Sequence, residues 1–144
     1  MDLDRRDYDG ACHCGAVRFH VRLSDGLRTA RRCNCSICRM RGGVAVTARI
    51  EDLQVLQGEE ILGTYRFNTG VAAHHFCTRC GIYTHHQRRS NPGEFGVSVA
   101  CLEGVSPFDF EELPVTDGAS NHPSDGPAGG APRLAGVLRF IRSD

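Results

Sequence analysis

Ala11-Cys12-His13-Cys14-Gly15-Ala16-Val17-Arg18-Phe19-His20-Val21-Arg22-Leu23 joins the two features that decide how this chain folds. The second half alternates. Val17, Phe19, Val21 and Leu23 fall on one face of an extended backbone and Arg18, His20 and Arg22 on the other, the period of a half-buried β-strand. The first half sets two thiols one residue apart ahead of a glycine. Outward from this stretch the thiols recur as Cys33-Asn34-Cys35-Ser36-Ile37-Cys38 and as Phe76-Cys77-Thr78-Arg79-Cys80-Gly81, which leaves only Cys101 outside a cluster.

Strand-like segments also recur, short and separated by glycine-bearing turns, at Gly43 to Ile50, Gln54 to Gln57, Thr64 to Phe67, Ala72 to Phe76, Ile82 to His86, Phe95 to Cys101 and Gly136 to Arg142. Asn68-Thr69-Gly70 suits a hairpin turn. The single helical expectation is one short turn over Ser36 to Arg41, with Ser36 as its N-cap and Gly42-Gly43 as its stop. The expected fold is therefore mainly β, in a single domain over 1–144. A long segment at 117–132, rich in Gly, Pro, Ser and Asp, breaks regular structure and reads as a solvated linker or as a loop laid over a site.

Composition narrows the function. The chain has 17 basic and 17 acidic residues, spread along its length, so nothing favours a nucleic-acid or anionic-membrane partner. Every basic residue is arginine, which excludes lysine nucleophiles and leaves planar forks suited to carboxylates. No stretch approaches a membrane span and the amino terminus lacks a signal-peptide core, so the expected location is cytoplasmic. In such a reducing compartment eight cysteines point to metal or thiol chemistry rather than to a disulfide scaffold.

Closely spaced thiol pairs deliver two ligands at once to a metal about 2.3 Å from each sulfur, the need of tetrahedral zinc. A structural zinc takes four protein ligands and a reactive one takes three. The arithmetic divides the clusters accordingly: Cys12, Cys14, Cys77 and Cys80 for one closed zinc, Cys33, Cys35 and Cys38 for a second zinc with an open fourth position. The competing readings are a second site closed by a histidine or by Cys101, and a metal-free redox pair. Three thiolates make a poor activator of water and a good holder of sulfur, so the open position suits an incoming thiol that attacks a small electrophile. Arg31, Arg32, Arg39 and Arg41 flank the cluster, where cations offset the thiolate charge or grip an anionic thiol.

The three motifs, in this order and at these separations, resemble the family of glutathione-dependent formaldehyde-activating enzymes, which includes the centromere protein V type domain. The resemblance covers most of the chain. It implies an Mss4-like fold of coiled antiparallel β-sheets, a structural zinc on Cys12, Cys14, Cys77 and Cys80, and a catalytic zinc on Cys33, Cys35 and Cys38. It further implies a carbon–sulfur lyase in which glutathione and formaldehyde exchange with S-(hydroxymethyl)glutathione. The alternatives are the same chemistry on another thiol, and a non-catalytic zinc module of the Mss4 type that binds a protein partner. One departure is that the chain contains no tryptophan, a residue often found toward the carboxyl end of similar proteins.

His74-His75 and His85-His86 are adjacent pairs on candidate strands, so the members of each pair point to opposite faces. One of each is expected to line the interior, with no ligand role. His122, in the long segment, is within conceivable reach of the open zinc or its substrate. Cys101, on an apolar strand, reads as a buried structural thiol.

Overall fold

The computed structural model describes residues 1–119 and 133–144, so His122 and most of the 117–132 segment lie outside the described residues. Strand β2 (Arg18–Leu27) realises the alternation. Phe19, Val21 and Leu23 are buried, whereas Arg18 and Arg22 are exposed. It lies between β1 (Asp7–Ala11) and β4 (Ala45–Gln57), and the sheet runs on through β8 (Glu94–Ser98), β7 (Tyr83–Gln87), β6 (Ala73–Cys77) and β5 (Leu62–Tyr65). All pairings in this seven-stranded sheet are antiparallel. A second sheet orders β10 (Leu134–Arg139), β9 (Glu112–Thr116) and β3 (Arg32–Cys33), with β3 parallel to β9. The one α-helix among the described residues is α1 (Ser36–Arg41), and the mainly β, antiparallel expectation holds.

Several boundaries differ from the expected ones for physical reasons. Two anticipated strands, Gly43 to Ile50 and Gln54 to Gln57, are the single β4. Its partner register jumps from Val21↔Leu53 to Leu23↔Ala48, and Arg49, Ile50 and Glu51 protrude into solvent at the kink. β1 carries no strand signal in the sequence, because only Tyr8 in Asp7–Ala11 is a large apolar residue. It is recruited by that buried Tyr8 and by cross-strand pairs from Asp7 to Arg22 and Asp9 to His20. β9 carries no strand signal either, with Pro114 in its middle. The strand begun at Phe95 stops at Ser98, and Val99–Cys101 forms a 3-10 turn.

The main core gathers Phe19, Val21 and Leu23 of β2 with Val46 and Ala48 of β4, Val97 of β8 and Val99. Each of the larger of these buried side chains, Ala48 aside, contributes about 1.5–3 kcal/mol. A smaller cluster forms where β2 begins and β6 ends, and it contains sulfur: Cys12, Val17 and Cys77, with Ile61, Leu62 and Cys80 against them.

Candidate metal centres

The first centre is built from two turns that the sheet brings together. After β1 the chain turns tightly, with Cys12 N–H donating to Val17 O and Gly15 N–H to Cys12 O, so Cys12 and Cys14 face the same side. Beyond β6 the Cys77–Gly81 knuckle closes with Gly81 N–H on Cys77 O at 2.7 Å. Gly81 has φ +76°, a left-handed conformation that a Cβ would penalise. Backbone N–H groups of Val17 and Arg79 point at the sulfurs of Cys12 and Cys77, at 3.3 and 3.4 Å. Hydrogen bonds from the Cys14 and Ile82 N–H groups bring the Cys80 thiol down to about 6, readying it for a cation.

All four sulfurs lie within 4.8 Å of one another. Cys12 Sγ and Cys14 Sγ are 3.6 Å apart, and Cys14 Sγ and Cys77 Sγ 3.8 Å. A tetrahedron with metal–sulfur bonds of about 2.3 Å has edges of about 3.8 Å, whereas a disulfide would need about 2 Å. The thiols are free, and their spacing fits a tetrahedral metal. Sequence and structure agree on which four residues meet here.

Cys33, Cys35 and Cys38 form the second group, again within 4.8 Å. Cys33 is held by the parallel pairing of β3 with β9, where it lies opposite Thr116, and Asn34 N–H extends that ladder to Thr116 O. Cys35, not Ser36 as expected, is the N-cap of α1: its backbone is extended and its carbonyl accepts from Arg39 N–H at 2.9 Å. That swap turns Cys35 back toward Cys33, to which its N–H points at 3.5 Å, and leaves Cys38 on the first turn facing both. The protons are shared unequally. Donation from the Cys35 and Cys38 thiols holds Cys33 far below the ordinary thiol range, and the same bonds with burial push Cys38 up.

Gly118 roofs this group. A Cβ at Gly118 would stand 2.6 Å from Cys33 Sγ and 2.9 Å from Cys35 Cβ, so only glycine permits the approach. The Asn34 amide ties down both flanks, donating to Asp117 Oδ1 at 3.2 Å and accepting from Ala119 N–H at 3.0 Å. The base of the long segment is thus fastened to the thiol loop.

The three thiols open on a cavity of about 420 Å³. Its described lining includes four arginines, Arg31, Arg39, Arg88 and Arg89, and neither Asp nor Glu. Arg31 is deep in the wall, bonded to Thr47 Oγ1 at 2.9 Å, and burial lowers its pKa only to about 10, so it stays charged near neutrality. Arg88 shares its charge with Glu94 at 2.6 Å.

The histidines divide between faces as expected, and the pairing across β6 and β7 adds what adjacency alone did not show. His75 meets His85 on the core side at 4.7 Å, with Phe95 edge-on to His85. His74 meets His86 at 5.1 Å, and both line the cavity of the three thiols. These two cavity residues were absent from the expected site. A hairpin centred on the cysteine knuckle, drawn from sequence, pairs them. Cys101 is buried, donates to Tyr83 O at 3.4 Å, and belongs to neither thiol group.

Among the described residues no helix is long and apolar enough to cross a membrane. The family model for glutathione-dependent formaldehyde-activating enzymes matches residues 7–112. A Halomonas elongata protein, whose name assigns it provisionally to glutathione-dependent formaldehyde activation, is 40% identical over 80 residues. The chain spans about half the length of that curated relative, and half of this chain is covered. A crystal structure of a Rhodobacter sphaeroides protein is 59% identical, with a TM-score of 0.74 over 75% of this chain and 99% of that one.

Proposed function

The chain belongs to the family of glutathione-dependent formaldehyde-activating enzymes, and from that premise we propose that it is a zinc-dependent carbon–sulfur lyase. In this reading it joins a small anionic thiol, glutathione or one like it, to formaldehyde and takes the adduct apart again. Cys12, Cys14, Cys77 and Cys80 hold a structural zinc. Cys33, Cys35 and Cys38 hold a second, catalytic zinc, all within one 144-residue domain working in the reducing cytoplasm. The observation that carries the proposal is three converging thiols in the wall of a cavity with four arginines and, among its described lining, no carboxylate. A cavity so charged favours an anionic substrate, and three thiolates favour sulfur in the remaining position.

Bound zinc would supply an acidic centre that keeps an incoming thiol deprotonated at neutral pH. The protein's own groups do the rest. Arg31, Arg39 and Arg88 hold carboxylates of the thiol, while Phe67, His74 and His86 close one wall against water. The sulfur lone pair attacks the carbonyl carbon, a carbon–sulfur bond forms, and the carbonyl π pair moves to oxygen. Oxygen takes a proton from water and the thiol's proton goes to solvent, giving the hydroxymethyl thioether; the reverse sequence releases formaldehyde.

NMR exchange spectroscopy on glutathione, formaldehyde and their adduct tests this. The expected result is acceleration of the exchange by the zinc-loaded protein, lost when Cys35 is changed to Ser. An exchange rate equal to that of buffer alone would refute the proposal.

A further inference from the structure

His74, on β6, is held unlike the other histidines. Arg41, at the end of α1, donates Nη2–H to His74 Nδ1 over 2.8 Å. A guanidinium is donor only, so Nδ1 carries the lone pair and the neutral ring keeps its proton on Nε2. Burial, reinforced by the Arg41 charge, lowers the ring's pKa to about 4, so it is neutral at pH 7. Nε2 is itself buried and has no hydrogen-bond partner, a state shared only with Ser24 Oγ among the described residues. An N–H sealed away in this way costs about 1–3 kcal/mol.

The donor is also rigid. Phe67 stacks on the His74 ring at 5.7 Å and 24°, and His86 stacks on it at 5.1 Å and 20°. Arg41 is pinned in turn, its guanidinium 3.7 Å above the Tyr83 ring. Rotating His74 or moving its proton would break the stack or the Arg41 bond. His86 differs, because its Nδ1 is already paired with Tyr83 Oη, which also donates to Gly96 O. The fixed, unsatisfied N–H therefore belongs to His74, in the wall of the cavity that holds Cys33, Cys35 and Cys38.

We propose that His74 Nε2–H is a catalytic hydrogen-bond donor to the oxygen of the thiol adduct. The assignment rests on the function proposed above. As the carbon–sulfur bond forms, the carbonyl oxygen gains negative charge, and a donor with no competing partner stabilises that charge; because Nε2 is closed to water here, the oxygen reaches it only when a neighbouring side chain of the cavity wall moves aside. The ring keeps its proton throughout, so the oxygen's proton still comes from water. Arg41 is a positioning residue, which enforces the tautomer.

The test is His74→Phe, which keeps a flat ring in the stack and removes the N–H, beside His74→Gln, whose amide N–H reaches the Nε2 position. The Phe variant is expected to keep its metal and its KM for glutathione and to lose kcat by about 10²–10³-fold, as for removal of one such donor elsewhere. The Gln variant is expected to recover part of the loss. Wild-type kcat in the Phe variant, or a Gln variant as slow as the Phe variant, would overturn the assignment. Long-range ¹H–¹⁵N correlation on the unaltered protein is an independent check should a variant fail to fold: it should find the proton on Nε2, and a proton on Nδ1 would also overturn it. If the unaltered enzyme does not accelerate the exchange, the underlying function falls and takes this role with it; failure of the Phe variant alone leaves that function standing.

Discussion

The two thiol groups use the same chemistry and differ in how the chain assembles them. Cys14 and Cys77 are 63 positions apart and meet only because β2 and β6 take their places in one sheet. Cys33, Cys35 and Cys38 come from a single six-residue stretch. Closing the long loop costs about 2 kcal/mol more chain entropy than closing the short one. A metal on the first group therefore constrains the unfolded chain far more than a metal on the second. Surroundings follow the same division: the first group is packed against Val17, Ile61 and Leu62, and the second faces a cavity lined with arginine. On the proposed reading the long-range ligands make a staple, and the local ligands leave a face free for a substrate.

Paired cysteine variants separate the two groups by the largest expected effect. Cys77→Ser is expected to cost more than about 4 kcal/mol, the range of a lost structural metal, and with it most of the folded protein. Cys35→Ser should lower metal content from two ions per chain to one, abolish exchange, and leave the melting temperature much closer to that of the unaltered protein. Metal analysis beside thermal unfolding distinguishes the outcomes, and equal destabilisation by both variants would contradict the division.

A smaller effect is expected from Gly118→Ala. The added Cβ must displace Cys33 Sγ or lift the segment that Asn34 fastens, an overpacking that typically costs about 1–3 kcal/mol. If that cost falls on metal binding, affinity at the three-thiol group should fall by about 5- to 150-fold, with the four-thiol group untouched. Competition with a chromogenic chelator measures this, and unchanged affinity at both groups would show that the roof does not bear on the thiols.

How much of this was legible in the residues differs by feature. Local signals carried far: the alternation from Val17 to Leu23, the helical turn over Ser36 to Arg41 and the division of seven cysteines into four and three are all visible in spacing. What was hidden depends on neighbours distant in the chain. Asp7–Ala11 becomes a strand through Arg22 and His20, which no local apolar pattern announces. Gly118 is one glycine among several in the 117–132 segment until β9 lies parallel to β3 and sets it on Cys33. His74 and His86 belong to separate strand patterns in the sequence, and their joint place in the cavity emerges only when β6 and β7 are paired.

On the proposed function only the three-thiol group accepts a thiol from outside. Cobalt(II) substituted for zinc reports each centre through its visible absorption, and titration with glutathione shows which centre takes the thiol. The predicted result is a saturable change in the spectrum of the unaltered protein that is missing from Cys35→Ser. A spectrum that glutathione leaves unchanged, or a change of equal size in Cys35→Ser, would contradict it.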